Sequence, residues 1–403
     1  MRTAIIASIG IGIIAALSMG SFMSSPSDVL VKTTVDESIA ESIIERCADE
    51  GYKPTCYDTE IPKLMDEGYS MEQAFEVTKL VQELDPSYQY CHVLGHYLSA
   101  KETQKDPENW KEVIARTPLG VCSNGAIHGA FQERFRASSL EPAAQEVMIS
   151  ELKDICEPRP DWQATGMGVA TCKHALGHLT MYATDGDIDG SIAMCDRLLD
   201  GKNTIMDRQL CYDGAFMQIF QPLEPEDFAL IQGKEVETME EAEEFCSGFD
   251  QKYRVSCIGE SWPLYRSLTS QPENVMASCK QLPEDSADFL RCMSGTFYVA
   301  MAQSNLSVEW AGDFCSRVPS SVSGLCFANS ATRLIETDSR NVARSLEVCA
   351  LAQAAGQGDA CYRDLVRYSG FVFKQTDPEF FELCNGLPAD YKSQCLEPTR
   401  NNI

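Results

Sequence analysis

Five histidines are the residues of this chain whose type and spacing suggest chemistry. No other histidine occurs among the 403 residues, and these five are His92, His96, His128, His174 and His178. The first two and the last two form pairs four residues apart. On a helix this spacing places both imidazoles on one face, one turn apart, where both can bind one ion. The pattern predicts a transition-metal site of three to five imidazoles.

The histidines lie in similar phrases, each of which begins with a cysteine. The pairs lie in C-H-V-L-G-H and C-K-H-A-L-G-H, and His128 lies in C-S-N-G-A-I-H-G. The second histidine of each pair and His128 follow their cysteine by five or six residues, so helices stacked in register would bring these three to a common face. Nearby Gly95, Gly125, Gly129 and Gly177 would let the helix backbones approach closely.

The ligand type narrows the choice of metal. Imidazole-rich ligation without thiolate favours Zn²⁺ or Cu²⁺. Haem with two histidine ligands fits as well, although the C-x-x-C-H attachment phrase is absent. Val93 and Ala175 follow the first histidine of each pair, so the H-E-x-x-H phrase of zinc proteases is missing. The alternative is structural: a duplicated packing phrase with hydrogen-bonded core histidines.

No catalytic residue can be assigned. The candidate acids near the predicted site are Glu133 and Asp213, and Gln132, Gln218 and Gln221 occupy related helical positions. Each is more typical of a solvated or capping side chain than of a general base. Whether the chain is an enzyme stays open.

The cysteines indicate the framework that positions the histidines. The C-terminal half contains two series of cysteines. The first recurs every 33 to 36 residues and consists of Cys246, Cys279, Cys315, Cys349 and Cys384. The second recurs every 34 or 35 residues, each member 11 to 13 residues after a member of the first, and consists of Cys257, Cys292, Cys326, Cys361 and Cys395. Three further local pairs lie upstream: Cys47 with Cys56, Cys156 with Cys172, and Cys195 with Cys211. A fixed period near 35 residues is typical of a solenoid.

Each period predicts two helices joined by a turn. Residues 293–301 are apolar at helical spacing, and residues 307–314 predict a second helix. Prolines such as Pro283, Pro319 and Pro388 end helices just beyond a first-series cysteine. A disulfide across such a turn is worth roughly 3 kcal/mol in the chain-entropy model. The sequence predicts an all-α fold, an α-solenoid of helix-pair repeats of about 35 residues stapled by local disulfides.

Cys91 and Cys122 have no partner in the loops that precede them. They could join each other and complete nine bridges, but packed helices lie about 8–10 Å apart whereas disulfides need Cα atoms within about 7 Å. Glycine-rich contacts could close that gap. Alternatively, one of these cysteines stays reduced and binds the metal as a thiolate.

The period and helix pairing of residues 156–397 resemble those of tetratricopeptide and Sel1-like helical-repeat proteins. The phrase from Cys172 to His178 is also similar to a C-x-H-x-x-G-H helix start found in secreted repeat proteins. The Trp, Leu-Gly and Tyr positions of the tetratricopeptide consensus are absent. The resemblance implies a curved solenoid with a concave face that binds a protein partner.

Charge, cysteine content and the amino terminus predict where the protein works. The net charge of −27 argues against nucleic-acid binding and polybasic membrane docking. Residues 1–25 predict a signal peptide or an uncleaved membrane anchor, which would be the only membrane contact. Eighteen cysteines favour an oxidising, extracytoplasmic location: secreted, periplasmic or anchored facing outward. Residues 26–222 form a histidine-bearing repeat region, and residues 223–403 form a histidine-free one.

Three functions follow from these patterns. The first is an exported metal-binding solenoid that holds Zn²⁺ or Cu²⁺ on its clustered histidines and offers its C-terminal repeats to a partner. The second is a metal-free interaction scaffold, in which the histidines only pack. The third is a metal-dependent enzyme with an open coordination position.

Overall fold

A computed structural model of the protein describes residue 35 and residues 37–118, 120–135, 142–201, 205–223, 225–284 and 286–397. The predicted signal segment lies outside these residues. Within them the chain is helical, with no β-strand, so the predicted all-α class is confirmed. No helix in this part of the chain is both long and apolar enough to cross a bilayer.

The α-helices of the described residues have between 4 and 18 residues. Their bounds are α1 (Glu37–Arg46), α2 (Lys53–Asp66), α3 (Met71–Leu84), α4 (His92–Lys105), α5 (Trp110–Arg116), α6 (Ala126–Phe135), α7 (Pro142–Leu152), α8 (Gly166–Ala183), α9 (Ile188–Leu198), α10 (Ile205–Phe220), α11 (Pro225–Leu230), α12 (Met239–Ser247), α13 (Gln251–Glu260), α14 (Arg266–Thr269), α15 (Ala287–Gln303), α16 (Val308–Arg317), α17 (Ser320–Thr337), α18 (Val342–Ala354), α19 (Gly358–Val372), α20 (Pro378–Gly386) and α21 (Ala389–Leu396). Short 3₁₀ segments cover 107–109, 122–124, 262–265, 272–279 and 339–341.

The helices form two layers. The inner layer consists of α2, α4, α6, α8, α10, α13, α15, α17, α19 and α21, in which each helix packs against the next. Shorter helices such as α9, α12, α16, α18 and α20 pack on the outside. Buried apolar residues between the layers form the core. This is the stacked helix-pair arrangement of an α-solenoid.

The stack curves so far that its later helices contact its earlier ones. Helix α19 packs against α8. The Asn305 side chain donates a hydrogen bond to the backbone oxygen of Pro86 over 2.9 Å. Arg340 forms an ion pair of 2.6 Å with Glu83. The histidine-bearing repeats are therefore braced by the histidine-free repeats.

All eighteen cysteines lie in the described residues and form nine disulfides between cysteines consecutive in the chain. The predicted local staples are confirmed. The second cysteine of a pair does not always begin its helix: Cys172, Cys292 and Cys326 lie well inside α8, α15 and α17. Two antiparallel helices meet most closely beyond the connecting turn, and the sulfur bridge forms there.

The remaining two cysteines, Cys91 before α4 and Cys122 before α6, form a disulfide with a Cα separation of 4.7 Å. No cysteine of the described residues is free. The hypothesis of a thiolate metal ligand is therefore wrong. The glycine contacts between α4 and α6 provide the close approach that ordinary helix packing would not.

Candidate metal centre

Three neighbouring inner helices carry the five histidines. Helix α4 carries His92 and His96, α6 carries His128, and α8 carries His174 and His178. Helix α6 packs against both α4 and α8. The structure therefore brings together all five predicted ligands, with His128 between the two pairs.

Helix α6 approaches α4 closely because it has glycines where the two backbones meet. A Cβ atom added to Gly125 would lie 2.2 Å from the backbone oxygen of His92. One added to Gly129 would lie 2.0 Å from the backbone oxygen of His96. Any side chain at either position would push the helices apart, so these glycines set the distance between His128 and the α4 pair.

The same device joins α8 to α10. A Cβ atom on Gly177 would lie 2.0 Å from the backbone oxygen of Cys211, and one on Gly214 would lie 2.1 Å from that of His174. Gly177 was expected from the sequence to be a contact glycine, whereas Gly214 was not. This close packing brings the side chains of α10 within reach of the second histidine pair.

The turn that enters α6 has an unusual backbone. Cys122, Ser123 and Asn124 all have left-handed conformations, with φ of 51°, 50° and 55°. The left-handed conformation destabilises the fold by roughly 1–2 kcal/mol for each residue that is not glycine. The Asn124 side chain accepts a hydrogen bond of 2.9 Å from the backbone of Gly120, and the Cys91–Cys122 bridge ties the turn to α4. Helix α6 therefore begins at Ala126, after this turn, and not at the cysteine that begins the phrase.

The α4 pair has the geometry of two ligands on one ion. The Nε2 atoms of His92 and His96 lie 3.2 Å apart. Two imidazole nitrogens bound tetrahedrally at 2.0–2.1 Å from one ion would lie about 3.3–3.4 Å apart. One nitrogen each from His92, His96 and His128 lies within 4.8 Å of the others, and all three residues are buried. These three form the group that could hold a metal.

His128 is the most unusual side chain of the cluster. It is 1% exposed, and its ring centroid lies 5.0 Å from that of His92 and 4.9 Å from that of His96. Neither of its ring nitrogens has a hydrogen-bond partner among the described residues. Burying a polar atom without a partner costs about 1–3 kcal/mol. A metal ion would satisfy at least one of these nitrogens.

The α8 pair repeats the α4 geometry with its own supporting contacts. The Nε2 atoms of His174 and His178 lie 3.1 Å apart. The other ring nitrogen of His178, Nδ1, lies 2.5 Å from the side-chain oxygen of Gln218 on α10. An amide oxygen only accepts, so Nδ1 of His178 carries the proton and Nε2 presents a lone pair. This is the orientation that a metal ligand requires.

Burial favours the neutral form of three histidines of the cluster, His92, His128 and His174. It lowers the pKa of His92 and of His128 well below the ordinary value, and the charges of the neighbouring imidazoles lower both further. Burial and the charge of His178 lower the pKa of His174 to about 3, although a hydrogen bond to the backbone of Leu210 opposes this shift. Neutral imidazole is the form that binds metals.

Two groups near the α4 pair were not predicted from the sequence. Tyr90 stacks on His92, with ring centroids 6.0 Å apart, and the buried Arg333 of α17 lies over Tyr90 and Tyr298 at 5.2 and 3.6 Å. The positive charge of Arg333 further disfavours protonation of His92. Tyr90 directly precedes the C-H-V-L-G-H phrase, a signal that was present, but nothing in the sequence linked Arg333 to it.

Asp58 is the unpredicted carboxylate near the cluster. Burial raises its pKa to about 6, against a hydrogen bond from Tyr88 and the charge of His96, both of which lower the pKa. The Tyr88 hydroxyl donates to Asp58 over 2.7 Å. Carboxylates in this outer position orient and polarise metal-bound histidines. Asp58 belongs to α2, and no feature of its surrounding sequence marks it.

The polar side chains suggested by the sequence have other partners, with one exception. Glu133 accepts a hydrogen bond from Gln104 at the surface, Asp213 forms an ion pair with Arg291, and Gln221 donates to Glu260. Gln132 is buried on α6. Only Gln218 is observed to contact a histidine of the cluster.

We expect the chelated protein to lose stability as the pH falls from 6.5 towards 3. His174 stays neutral in the folded state, whereas the unfolded chain takes up a proton with the ordinary pKa of 6.5, so in this range the unfolded state binds more protons. The free energy of unfolding should fall by up to about 1.4 kcal/mol per pH unit for each buried neutral imidazole.

Urea denaturation at pH 7 and pH 5 in a chelating buffer measures this effect. His174→Asn should give a shallower dependence on pH. Equal stability of the wild-type protein at both pH values would contradict the neutral, buried state of the cluster.

No protein-family model, no curated protein and no solved structure matches this chain.

Proposed function

We propose that this chain is an exported metal-binding α-solenoid that holds Zn²⁺ or Cu²⁺ on clustered histidines. The observation that carries the proposal is His128, a fully buried imidazole that lies among four other imidazoles and whose two nitrogens have no hydrogen-bond partner among the residues that the structure describes. A core histidine that only packs would bond to a carbonyl, a hydroxyl or an amide. His92, His96 and His128 would be the ligands of the ion.

The ligand set supports Zn²⁺ or Cu²⁺ over other ions. Imidazole suits both metals, and three imidazoles leave a fourth position for solvent or another ligand. Carboxylate-rich sites, which suit Mg²⁺ and Ca²⁺, have a different composition. An extracytoplasmic location is supported by the nine disulfides, which persist in oxidising compartments.

The partner-binding role stays a prediction from the repeat architecture. Helical arrays bind partners along their extended faces, and the C-terminal repeats without histidines would provide such a face. A metal-free scaffold would keep this role and lose the ion. A metal-dependent enzyme would need the fourth coordination position to bind a substrate.

Metal content separates the first function from the second. Protein purified without added metal should contain at least one equivalent of zinc or copper by elemental analysis, since three buried imidazoles with converging nitrogens bind strongly. Chelation should lower the melting temperature, because an ion whose free concentration is 100 times its Kd stabilises the fold by about 2.7 kcal/mol. Less than about 0.2 equivalents together with unchanged melting after chelation would refute the metal-binding function.

A further inference from the structure

The second histidine pair is as well formed as the first, yet one ion on His92, His96 and His128 would not use it. The Nε2 atoms of His174 and His178 lie 3.1 Å apart, against 3.2 Å for the α4 pair. Both separations are close to the spacing of two nitrogens on one tetrahedral ion. The cluster therefore contains two similar two-histidine sites.

His128 contacts both pairs. Its ring centroid lies 5.0 and 4.9 Å from those of His92 and His96, and 5.6 and 5.0 Å from those of His174 and His178. Rings that share one ion, with nitrogens at 2.0–2.1 Å, have centroids roughly 5.2–5.5 Å apart in tetrahedral or trigonal arrangements. The ring spacing is therefore similar on the two sides of His128, and on the α4 side the ligand nitrogens also lie within 4.8 Å of one another.

Both nitrogens of His128 are buried, and neither has a hydrogen-bond partner in the part of the chain that the structure describes. A single ion would satisfy one of them and leave the other buried and unpaired, at a cost of about 1–3 kcal/mol. Two ions, one on each side of the ring, would satisfy both.

The α8 pair also has the outer contacts that a ligand needs. Gln218 holds the Nδ1 proton of His178, and the ring of His174 is hydrogen-bonded to the backbone of Leu210. Contacts of this kind fix which nitrogen faces the metal.

We propose that the cluster is a dinuclear site for Zn²⁺ or Cu²⁺ in which His128 bridges two ions, a proposal that rests on the metal-binding function above. One ion is bound by His92 and His96, and the other by His174 and His178. When the second ion binds, the neutral His128 ring loses its remaining N–H proton to solvent and becomes an imidazolate, with no change in the oxidation state of either metal. Each ion then has three nitrogen ligands.

Copper titration followed by electron paramagnetic resonance tests this bridge. The full chain is stripped with a chelator, loaded with Cu²⁺ and desalted, and its copper content is measured by elemental analysis. We expect two equivalents to be retained. At liquid-helium temperature the integrated signal should be below about a fifth of the bound copper, since an imidazolate couples the spins of two Cu²⁺ ions.

Variants assign the two sites. The His174→Ala/His178→Ala protein should retain one equivalent with a full signal, because the α4 site and His128 remain. Leu176→Ala is the matched control, since it truncates a buried side chain of α8 between the two histidines and removes no ligand. It should retain two equivalents and the weak signal. Gln218→Ala should weaken binding of the second equivalent by about 10–100-fold.

Each outcome has a distinct meaning. One equivalent with a full signal in the wild-type protein would overturn the dinuclear site and leave the metal-binding function standing. Two equivalents with a full signal would overturn the bridge. No retained copper would refute both proposals. Helix content by circular dichroism, measured on every variant, identifies any that has failed to fold.

Discussion

Replacing His128 with leucine should stabilise the chelated protein and destabilise the metal-loaded one. In the chelated protein the substitution removes two buried nitrogens without partners, each of which costs about 1–3 kcal/mol. Leucine has a similar volume, so the packing between α4, α6 and α8 should be largely kept. The free energy of unfolding without metal should rise by about 2 kcal/mol.

With metal present, the same substitution should lower the stability of the protein relative to the wild type. The wild-type protein gains the free energy of metal binding, about 4 kcal/mol at 1,000 times the Kd, whereas His128→Leu has lost the central ligand and gains little. Urea denaturation of both proteins, with chelator and with excess Zn²⁺, gives the four values needed. The neighbouring Ile127→Ala is the control: it truncates a fully buried side chain of α6 and should destabilise under both conditions. A His128→Leu effect of the same sign in both buffers would contradict the ligand role.

Replacing Gly129 with alanine should cost about 3 kcal/mol of stability and most of the metal affinity. The new Cβ atom would lie 2.0 Å from the backbone oxygen of His96 and 2.4 Å from the Ser99 hydroxyl. Neither α4 nor α6 can yield locally at a backbone contact, so the helices must separate. Separation moves His128 away from the α4 pair and weakens metal binding by at least about 10-fold, since ligand distances tolerate only a few tenths of an ångström.

Gly295 supplies the matched control. It lies in α15, another inner helix, and a Cβ atom there would meet nothing within 4 Å. Gly295→Ala should therefore stabilise the protein by about 0.5–1 kcal/mol through helix propensity alone, and leave metal binding unchanged. Stability is measured by urea denaturation and metal content by elemental analysis. Similar effects of the two substitutions would show that the α4–α6 contact does not control the site.

The sequence was most informative where contacts are local. Cysteines at a period near 35 residues predicted the helix pairs and their staples, because each bridge closes a short loop between neighbours. The histidine phrases predicted ligands on adjacent helices for the same reason. His128 lies one repeat after the α4 pair, so the stacking of neighbouring repeats is enough to bring them together. Even the leftover Cys91 and Cys122 could be paired once glycines were allowed to narrow the helix spacing.

What could not be predicted depends on the curvature of the stack. Arg333 reaches Tyr90 only because α17 comes back against the first repeats, and a small rotation at each repeat determines whether it does. Asp58 approaches His96 from α2, which has Cys56 but neither a histidine nor a glycine to mark a contact with the cluster. The left-handed backbone at Cys122–Asn124 could not be predicted either, because none of its three residues is glycine.

The order of the disulfides has a consequence for how the chain acquires them. Each disulfide joins two cysteines that are consecutive in the chain, and the largest separation within a pair is 31 residues. A polypeptide delivered amino terminus first into an oxidising space would thus complete each bridge before the next pair emerged. An oxidase acting on the growing chain would give the native pairing without later reshuffling by an isomerase.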